Sequence, residues 1–192
     1  MAEYTEEVRG ILSLPLYDAE TCRALVEQVN ESGAWRQAEV SLLDGGGYRS
    51  VVVREERSAS VFAPSAESEA AWLFDAKMNG VVKPLVKRAW GVEMTAHSAM
   101  HLVRYLPGDY YHAHTDVTLE DPYRYFSVVC YLNNDFEGGR TAFPDLSHAV
   151  APRRGKAVIF PSTYLHRAEP VTRGEKYVIV SWLTGRRPIR WI

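Results

Sequence analysis

The decisive stretch of the chain runs from Tyr105 to Asp116 and reads Tyr-Leu-Pro-Gly-Asp-Tyr-Tyr-His-Ala-His-Thr-Asp. In an extended strand, successive side chains point to opposite faces, so His114 and Asp116 should point the same way. An imidazole and a carboxylate on one face can hold a metal ion together. His112 would share that face if the strand stayed regular, so the spacing by itself admits His112 as a ligand as well.

A third ligand is available far downstream at His166. Two imidazoles and one carboxylate leave coordination positions open on the metal, and this donor set is typical of non-haem Fe(II) oxygenases. This arrangement suits a redox-active iron better than zinc, and no thiolate belongs to the set. If His166 completes the set, His114, Asp116 and His166 would form an iron site.

Four ordered segments resemble the prolyl 4-hydroxylase-like group of Fe(II)/2-oxoglutarate dioxygenases. The first is the Tyr-x-x-Gly-x-x-Tyr-x-x-His-x-Asp pattern from Tyr105 to Asp116. The second, Gly-Gly-Arg-Thr-Ala-Phe-Pro at 138–144, is similar to the family's Gly-Gly-Glu-Thr turn. The others are Gly-Lys-Ala-Val-Ile-Phe-Pro at 155–161 and Leu-His-Arg-Ala-Glu-Pro-Val-Thr-Arg-Gly-Glu-Lys at 165–176. The resemblance covers residues 103–182.

The resemblance implies both a fold and a set of iron ligands. The fold is mainly β with supporting helices: a double-stranded β-helix (jelly roll, cupin-like), with the N-terminal helices packed on one sheet. The implied ligands are again His114, Asp116 and His166. The family also places a cation ten positions after the distal histidine, and 176 − 166 = 10, which makes Lys176 the partner of the distal carboxylate of 2-oxoglutarate. Arg173 is a weaker rival for that role.

Five further positions match the family's cosubstrate and substrate contacts. The resemblance implies that Tyr105 and Thr141 hydrogen-bond the same 2-oxoglutarate carboxylate. It places Tyr111, Arg124 and Trp182 near the substrate.

One residue departs from the family pattern. Arg140 stands where the family usually carries Glu. If Thr141 faces the cosubstrate, alternation should turn Arg140 outward or toward the rim of the barrel. Arg140 is then either a plain surface charge or a partner of Arg124 in binding a substrate carboxylate or phosphate through forked hydrogen bonds.

Lys176 begins a run, residues 176–182, that is rich in β-branched and aromatic side chains and is typical of a strand. Alternation puts Lys176, Val178, Val180 and Trp182 on one face. A lysine on such a face is costly inside a barrel unless an anion pairs with it. The alternative is that Lys176 lies at the strand end and extends its ammonium into water.

The function that follows is hydroxylation of an unactivated C–H bond of an amino acid, peptidyl (prolyl-like) or natural-product substrate, with release of succinate and CO2. The resemblance implies Fe(II), 2-oxoglutarate and O2, and suggests ascorbate. One alternative is a cupin-like metal-binding or sensing domain without turnover. Another is an oxygenase-fold halogenase, which Asp116 disfavours because its carboxylate would fill the position of the halide.

A second histidine pair, His97 and His101, has the spacing of a zinc pair on a helix. No Glu follows His97, and the region is typical of a strand, so the sequence does not favour a zinc site there.

The length and composition of the chain limit the number of domains, the class of partner and the cellular location that we expect. A chain of 192 residues suits a single oxygenase domain (1–192), in which 1–91 would supply helical support and a lid and 92–185 the metal-binding β core. The net charge of −2 gives no basic field for nucleic acid or membrane, so the expected partner is a small-molecule or peptide substrate. Cys22 and Cys130 form no disulfide framework and favour a reducing cytoplasm. The sequence does not indicate an oligomeric state.

The periodicity predicts two helical regions followed by short strands. Asp18 should cap a helix with Cys22, Leu25, Val26 and Val29 on its apolar face. Residues 65–89 should form a second region with Trp72 in its apolar stripe, bent or split at Gly80 and Pro84. A turn at 44–47 and a strand at 51–53 should lie between the two regions. The predicted strands of the β core are 96–105, 110–115, 125–133, 140–143, 157–160 and 176–183.

Overall fold

Two antiparallel sheets that enclose a common apolar interior form the framework of the computed structural model, which describes residues 3–44, 47–118 and 121–186. The strands are β1 (Thr5–Val8), β2 (Ile11–Pro15), β3 (Arg36–Gln37), β4 (Val40–Asp44), β5 (Gly47–Val51), β6 (Arg57–Ser58), β7 (Ser60–Phe62), β8 (Ala96–His97), β9 (His101–Tyr105), β10 (Tyr110–His114), β11 (Arg124–Tyr131), β12 (Glu137–Gly138), β13 (Thr141–Phe143), β14 (His148–Val150), β15 (Lys156–Pro161), β16 (His166–Ala168), β17 (Val171–Arg173) and β18 (Lys176–Thr184). The α-helices are α1 (Ala19–Ser32), α2 (Glu69–Lys77) and α3 (Lys83–Trp90).

The main sheet has the strand order β1-β2-β15-β11-β18-β9-β7-β3, with β8 also paired to β18. The second sheet has the order β14-β13-β16-β10-β6, and β12-β17 and β4-β5 form separate two-stranded ribbons. This is the double-stranded β-helix with helices on one sheet that the resemblance implies. The N-terminal region contributes β1, β2, β3 and β7 to the main sheet, a strand content that we did not predict from the sequence.

Alternation along the central strands separates two apolar clusters. On β11, Val128 and Cys130 pack toward the helices, whereas Val129 and Tyr131 pack toward the second sheet. Strands buried on both faces read as continuous apolar runs, and residues 125–132 are such a run, broken only by Ser127. The functional residues lie on the side that faces the second sheet.

Helix α1 begins and ends as its sequence predicts. The Asp18 side chain caps it by accepting a hydrogen bond from the Thr21 amide at 2.8 Å. Gly33 ends it in the left-handed conformation, with φ of 61°. Cys22, Leu25 and Val29 are buried, and Val26 packs partly buried against the same cluster.

The second helical region is divided at the predicted place. A π-helical turn at Met78–Val82, which contains Gly80, separates α2 from α3, and Pro84 lies in the first turn of α3, where its missing N–H is tolerated. The prediction for Trp72 is wrong, because Trp72 is 63% exposed while Ala70, Ala71 and Phe74 supply the buried side of α2.

Two strand predictions need correction. The predicted strand 96–105 is divided into β8 and β9 because Ser98 turns to bond the main chain of Trp182, donating its amide to the carbonyl at 2.9 Å and accepting the Trp182 amide on its hydroxyl at 3.1 Å. The strand predicted at 51–53 ends at Val51 and forms a hairpin with β4. Gly45 and Gly46 of the predicted turn lie outside the described residues.

In the part of the chain that is described, no helix is long and apolar enough to cross a bilayer.

Candidate active site

Strands β10 and β16 bring the three predicted metal ligands together. They pair antiparallel, with His114 directly opposite His166, and Asp116 follows two residues after β10 ends. The Nε2 atoms of His114 and His166 lie 3.5 Å from Oδ1 and Oδ2 of Asp116, respectively. One ligand atom from each residue lies within 4.8 Å of the other two, which fits a single ion bound by all three side chains.

Main-chain carbonyls fix the orientation of both imidazoles. His114 Nδ1 lies 2.8 Å from the carbonyl oxygen of His112, and His166 Nδ1 lies 2.9 Å from that of Tyr164. A carbonyl oxygen only accepts hydrogen bonds, so each Nδ1 must carry the proton. The Nε2 lone pairs of both rings therefore face Asp116 and are free to bind a metal.

His112, which spacing alone admitted as a ligand, is excluded by an irregularity in β10. The register against β16 shifts between Tyr111 and His114, as in a β-bulge. Tyr111 therefore shares a side with His114, and their rings stack at 3.6 Å between centroids. The His112 side chain is 60% exposed and lies 3.7 Å from Glu56. It takes no part in the cluster of potential ligands.

Two buried serines that we did not predict hold Asp116. Ser127 donates its hydroxyl to Asp116 Oδ2 at 2.5 Å and lies 2.9 Å from the Ser162 hydroxyl, and both serines are fully buried. The Asp116 amide donates to the Ser162 carbonyl at 2.9 Å. Ser127 could have been found in the sequence, because it is the single polar residue of the apolar run 125–132 and a buried hydroxyl requires a hydrogen-bond partner.

Asp116 and His166 have the protonation states that metal binding requires. Burial by itself raises the pKa of Asp116, but the neighbouring imidazoles of His166 and His114 and the hydrogen bond from Ser127 outweigh burial and hold the pKa below its ordinary value. Burial lowers the pKa of His166 to about 4. At neutral pH the site therefore presents a carboxylate and a neutral His166, as ligands must be.

Lys176 lies inside the same barrel and does not reach solvent. Its side chain is 1% exposed, which excludes the alternative in which it extends into water. On β18 it pairs with Tyr105 of β9, and its Nζ lies 4.6 Å from the centroid of the Tyr105 ring. Within the described residues the ammonium makes no hydrogen bond or ion pair, and only the charge of Glu169 acts on it. Burial lowers the pKa of Lys176 to about 7.

The glycine turn before β13 packs directly against Lys176. Gly139 has a φ of +59°, and a Cβ at this position would lie 3.1 Å from the Lys176 side chain. A larger residue would press on the stem of the lysine. The Gly-Gly pair recognised in the sequence is thus a packing surface for the cation.

Thr141 and Tyr131 form a second polar group beside Lys176. The Tyr131 hydroxyl lies 2.7 Å from Thr141 Oγ1 and accepts the Thr141 amide at 3.0 Å. Lys176 Nζ is 5.6 Å from the Tyr131 ring centroid. Tyr131 was missed in the sequence, although it lies on the same face of β11 as Ser127 and Val129.

Most of the predicted site residues line one cavity of about 680 Å³. The predicted residues that line it are Tyr105, Tyr111, His114, Asp116, Arg124, Thr141, His166, Lys176 and Trp182. The alternation predicted for β18 is confirmed, because Lys176, Val178, Val180 and Trp182 all face this cavity.

Two predicted substrate residues meet at the cavity wall. The guanidinium carbon of Arg124 lies 3.8 Å from the centroid of the Trp182 ring. Arg124 Nη1 also donates to the main-chain carbonyl of Asp116 at 3.4 Å, which ties it to the metal-ligand segment. Its Nη2 pairs with Asp121 at 2.9 Å.

Arg140 lies apart from the other predicted substrate residues. Its Nε donates to Glu169 at 2.6 Å, its side chain is 53% exposed, and it is not part of the cavity wall. The outward direction expected from alternation with Thr141 agrees with this position. A substrate role for Arg140 stays a prediction.

Comparisons with known proteins agree with this geometry. The family model described as the 2OG-Fe(II) oxygenase superfamily matches residues 100–184. A candidate prolyl 4-hydroxylase of Acanthamoeba polyphaga mimivirus is 31% identical over 62% of this chain and 59% of its own length. A PKHD-type hydroxylase of Idiomarina loihiensis is 35% identical over 42% of this chain and 39% of its own length. The chain thus spans less than two thirds of the length of these relatives.

Solved structures share the fold at low sequence identity. A Pseudomonas putida prolyl-4-hydroxylase superimposes with a TM-score of 0.74 at 22% identity, covering 93% of this chain and 94% of that one. A Trichoplax adhaerens prolyl hydroxylase, solved with a hypoxia inducible factor peptide fragment, superimposes with a TM-score of 0.72 at 16% identity, covering 91% and 83%. Residues 100–184 of the chain are therefore similar to the 2OG-Fe(II) oxygenase superfamily, and prolyl 4-hydroxylases and PKHD-type hydroxylases are among the relatives of the chain.

Proposed function

We propose that the chain is an Fe(II)- and 2-oxoglutarate-dependent dioxygenase that hydroxylates an unactivated C–H bond and releases succinate and CO2. The observation that carries the proposal is the presence, in one cavity, of a His-Asp-His cluster and a buried lysine without an ion-pair partner among the described residues. The first fits a metal with open coordination positions, and the second fits an anionic cosubstrate.

His114, Asp116 and His166 would hold Fe(II), which supplies the centre at which 2-oxoglutarate and O2 react. The residues present fit this ion, because they offer N and O donors without thiolates, with both imidazole Nε2 atoms directed at the carboxylate. Ser127 keeps Asp116 oriented and ionised. Ascorbate belongs to the proposal as an auxiliary component.

Lys176 would bind the distal carboxylate of 2-oxoglutarate. The apolar surroundings exclude water and strengthen the attraction between the ammonium and a carboxylate. Thr141 and Tyr105 are close enough to this end of the cavity to add hydrogen bonds, and Tyr131 supports Thr141. Arg173, the weaker rival, is exposed and pairs with Glu137 at 2.6 Å.

Tyr111, Arg124 and Trp182 would position the substrate beside the metal. The aromatic rings of Tyr111 and Trp182 can pack on its apolar part, while Arg124 can donate hydrogen bonds to its oxygens. An amino acid, a prolyl-like peptide residue and a natural product all fit this description. The names of the relatives support a prolyl-like substrate.

A cupin-like sensing domain without turnover would need the triad but not the cosubstrate residues. The position of Lys176, Tyr105 and Thr141 in the same cavity as the triad favours turnover over sensing. The proposal includes a cytoplasmic location, supported by the free, buried thiols of Cys22 and Cys130. The division of the domain at residue 91 also stays a prediction.

The proposal is tested by mixing the protein with Fe(II) and 2-oxoglutarate without O2, recording the visible charge-transfer absorption, and then admitting O2. We expect the band to form and then decay as succinate appears. A His166→Ala control should do neither. If 2-oxoglutarate binds and no succinate forms with any substrate extract, the sensing alternative is correct.

A further inference from the structure

The cavity has two ends, separated along β18. Lys176 lies at the inner end and Trp182 lies six residues further along the strand, which at about 3.3 Å per residue corresponds to ~20 Å. On the neighbouring strand β9, Tyr105 pairs with Lys176 and His101 pairs with Val180. A short diacid such as 2-oxoglutarate cannot extend from Lys176 to the outer end, so polar groups there are available to another ligand.

The outer end is surrounded by positive charge. Arg36 of β3, Arg124 of β11 and His101 line the cavity, and Arg57 of β6 lines it nearer to Tyr105 and Tyr111. Burial lowers the pKa of His101, and the charges of Arg57, Arg124 and Arg36 lower it further. Three cations from three different strands therefore act on a single imidazole. The His101 ring also lies against Trp182, with 5.8 Å between the ring centroids.

Acidic residues of the cavity wall do not cancel this charge. Asp116 belongs to the metal triad, and Glu56 faces His112 at the surface. Asp121 pairs with Arg124 but is 44% exposed, so the pair is weak and exchangeable. Glu39 is exposed. No acidic side chain is among the groups that shift the pKa of His101.

Two buried donors of the cavity wall, one at the outer end and one nearer to Tyr105, have no acceptor among the described residues. Trp182 Nε1 and Arg57 Nε make no hydrogen bond to the described residues. Arg57 Nη1 is bonded to the main-chain carbonyl of Glu39 at 3.1 Å, which fixes the guanidinium over the Tyr111 ring and leaves Nε unpaired. Buried donors without partners are costly, and a ligand that offers several acceptor oxygens would satisfy them.

We propose that the outer end of the cavity binds a carboxylate of the substrate, so that the preferred substrate is a small carboxylic acid, such as a free amino acid, rather than an internal residue of a polypeptide. Arg124, Arg36 and His101 are the specificity-determining residues, because guanidinium groups bind carboxylates through paired hydrogen bonds. This inference rests on the proposed function and identifies the substrate class of the same site. The residues that help Arg124 to bind the substrate anion are then Arg36 and His101, which line the cavity, instead of Arg140, which lies outside it.

The test compares acids with their neutral amides. The protein is loaded with Mn(II) and 2-oxoglutarate, and its unfolding midpoint is measured with L-amino acids, N-acetyl amino acids and small dicarboxylic acids, each beside its primary amide. Acids that raise the midpoint are then assayed with Fe(II), O2 and 2-oxoglutarate for succinate release. We expect acids, but not amides, to bind and to stimulate succinate release.

The variants Arg36→Gln and His101→Gln should lower the ratio of kcat/KM for an acid to that for its amide by about tenfold or more. Arg54→Gln is the matched control for Arg36→Gln, because it removes one positive charge from an exposed residue outside the cavity wall, and it should keep the wild-type ratio. A merely structural role would lower kcat/KM for both compounds and leave their ratio unchanged.

Three results would overturn the carboxylate proposal: amides that bind as well as acids, neither series binding, or a neutral peptide that is the best substrate. Each differs from a failure of the proposed function. If the proposed function itself is wrong, 2-oxoglutarate will not be converted to succinate under any condition, whatever the charge of the added compound.

Discussion

The hydroxyl of Ser127 lies 2.5 Å from Oδ2 of Asp116, and both side chains are buried between the two sheets. Asp116 is thereby held by a neighbour on β11, a strand that carries none of the three metal ligands. Groups that orient a metal ligand contribute strongly to metal affinity. The Ser127 hydroxyl should therefore affect metal binding through the orientation of Asp116.

Ser127→Ala should weaken Fe(II) affinity by about tenfold to a hundredfold, because Asp116 loses its orienting hydrogen bond. Anaerobic Fe(II) titration measures the effect. Ser181→Ala is a suitable control, since Ser181 is also a fully buried serine but bonds to Ser98, away from the cavity wall. Equal Fe(II) affinity in the two variants would remove Ser127 from the metal site.

Single substitutions His114→Ala, Asp116→Ala and His166→Ala should each abolish Fe(II)-dependent succinate release while the protein still folds, because apolar burial stabilises the barrel. His112→Ala should retain activity, since its ring lies at the surface beside Glu56. Metal content and circular dichroism separate loss of iron from loss of fold. Iron retained by His114→Ala and lost by His112→Ala would show that the ligand assignment is wrong.

Lys176→Ala should raise the 2-oxoglutarate requirement by about 10-fold to 150-fold, because a hydrogen bond to a charged group contributes about 1.5–3 kcal/mol. Titration of the Fe(II) charge-transfer band measures the affinity. Arg173→Ala serves as the control, because its exposed guanidinium pairs with Glu137. Unchanged affinity in Lys176→Ala would place the cosubstrate carboxylate elsewhere.

The affinity for 2-oxoglutarate should fall as the pH rises above about 7, the pKa to which burial lowers Lys176. Below that pH the lysine is already charged, whereas above it the lysine must take up a proton to bind the dianion. The affinity then falls by up to about tenfold per pH unit. Lys176→Met should remove this dependence, and proton uptake measured with a pH indicator should accompany binding only in the wild type.

The same pKa predicts how stability depends on pH without cosubstrate. The folded pKa of about 7 lies below the ordinary value of 10.5, so between these values the unfolded chain binds more protons than the folded one. The contribution of Lys176 to the free energy of unfolding should therefore increase from pH 7 upward. Urea unfolding of the wild type and of Lys176→Met across this interval measures it, and parallel curves for the two proteins would contradict the low pKa.

Local sequence patterns are sufficient to predict much of the site. The alternation of an extended chain was sufficient to put Lys176, Val178, Val180 and Trp182 on one face, and His114 with Asp116, because side-chain direction in a strand depends only on position. The helix that begins after Asp18 and the interruption near Gly80 and Pro84 were also predictable, since caps and helix breakers act within a few residues. The family motifs supplied the pairing of these segments with His166.

Only the tertiary structure decided what depends on long-range contacts or on local irregularity. The bulge between Tyr111 and His114 excludes His112, and it arises from pairing with β16, which lies some fifty residues downstream. Ser127 and Tyr131 gained their roles because β11 lies opposite the metal-ligand segment. His101, which had no predicted role, faces Arg36, Arg57 and Arg124 only once four separate strands enclose the cavity. Sequence periodicity determines the face on which a side chain lies, whereas packing between distant segments determines what it meets there.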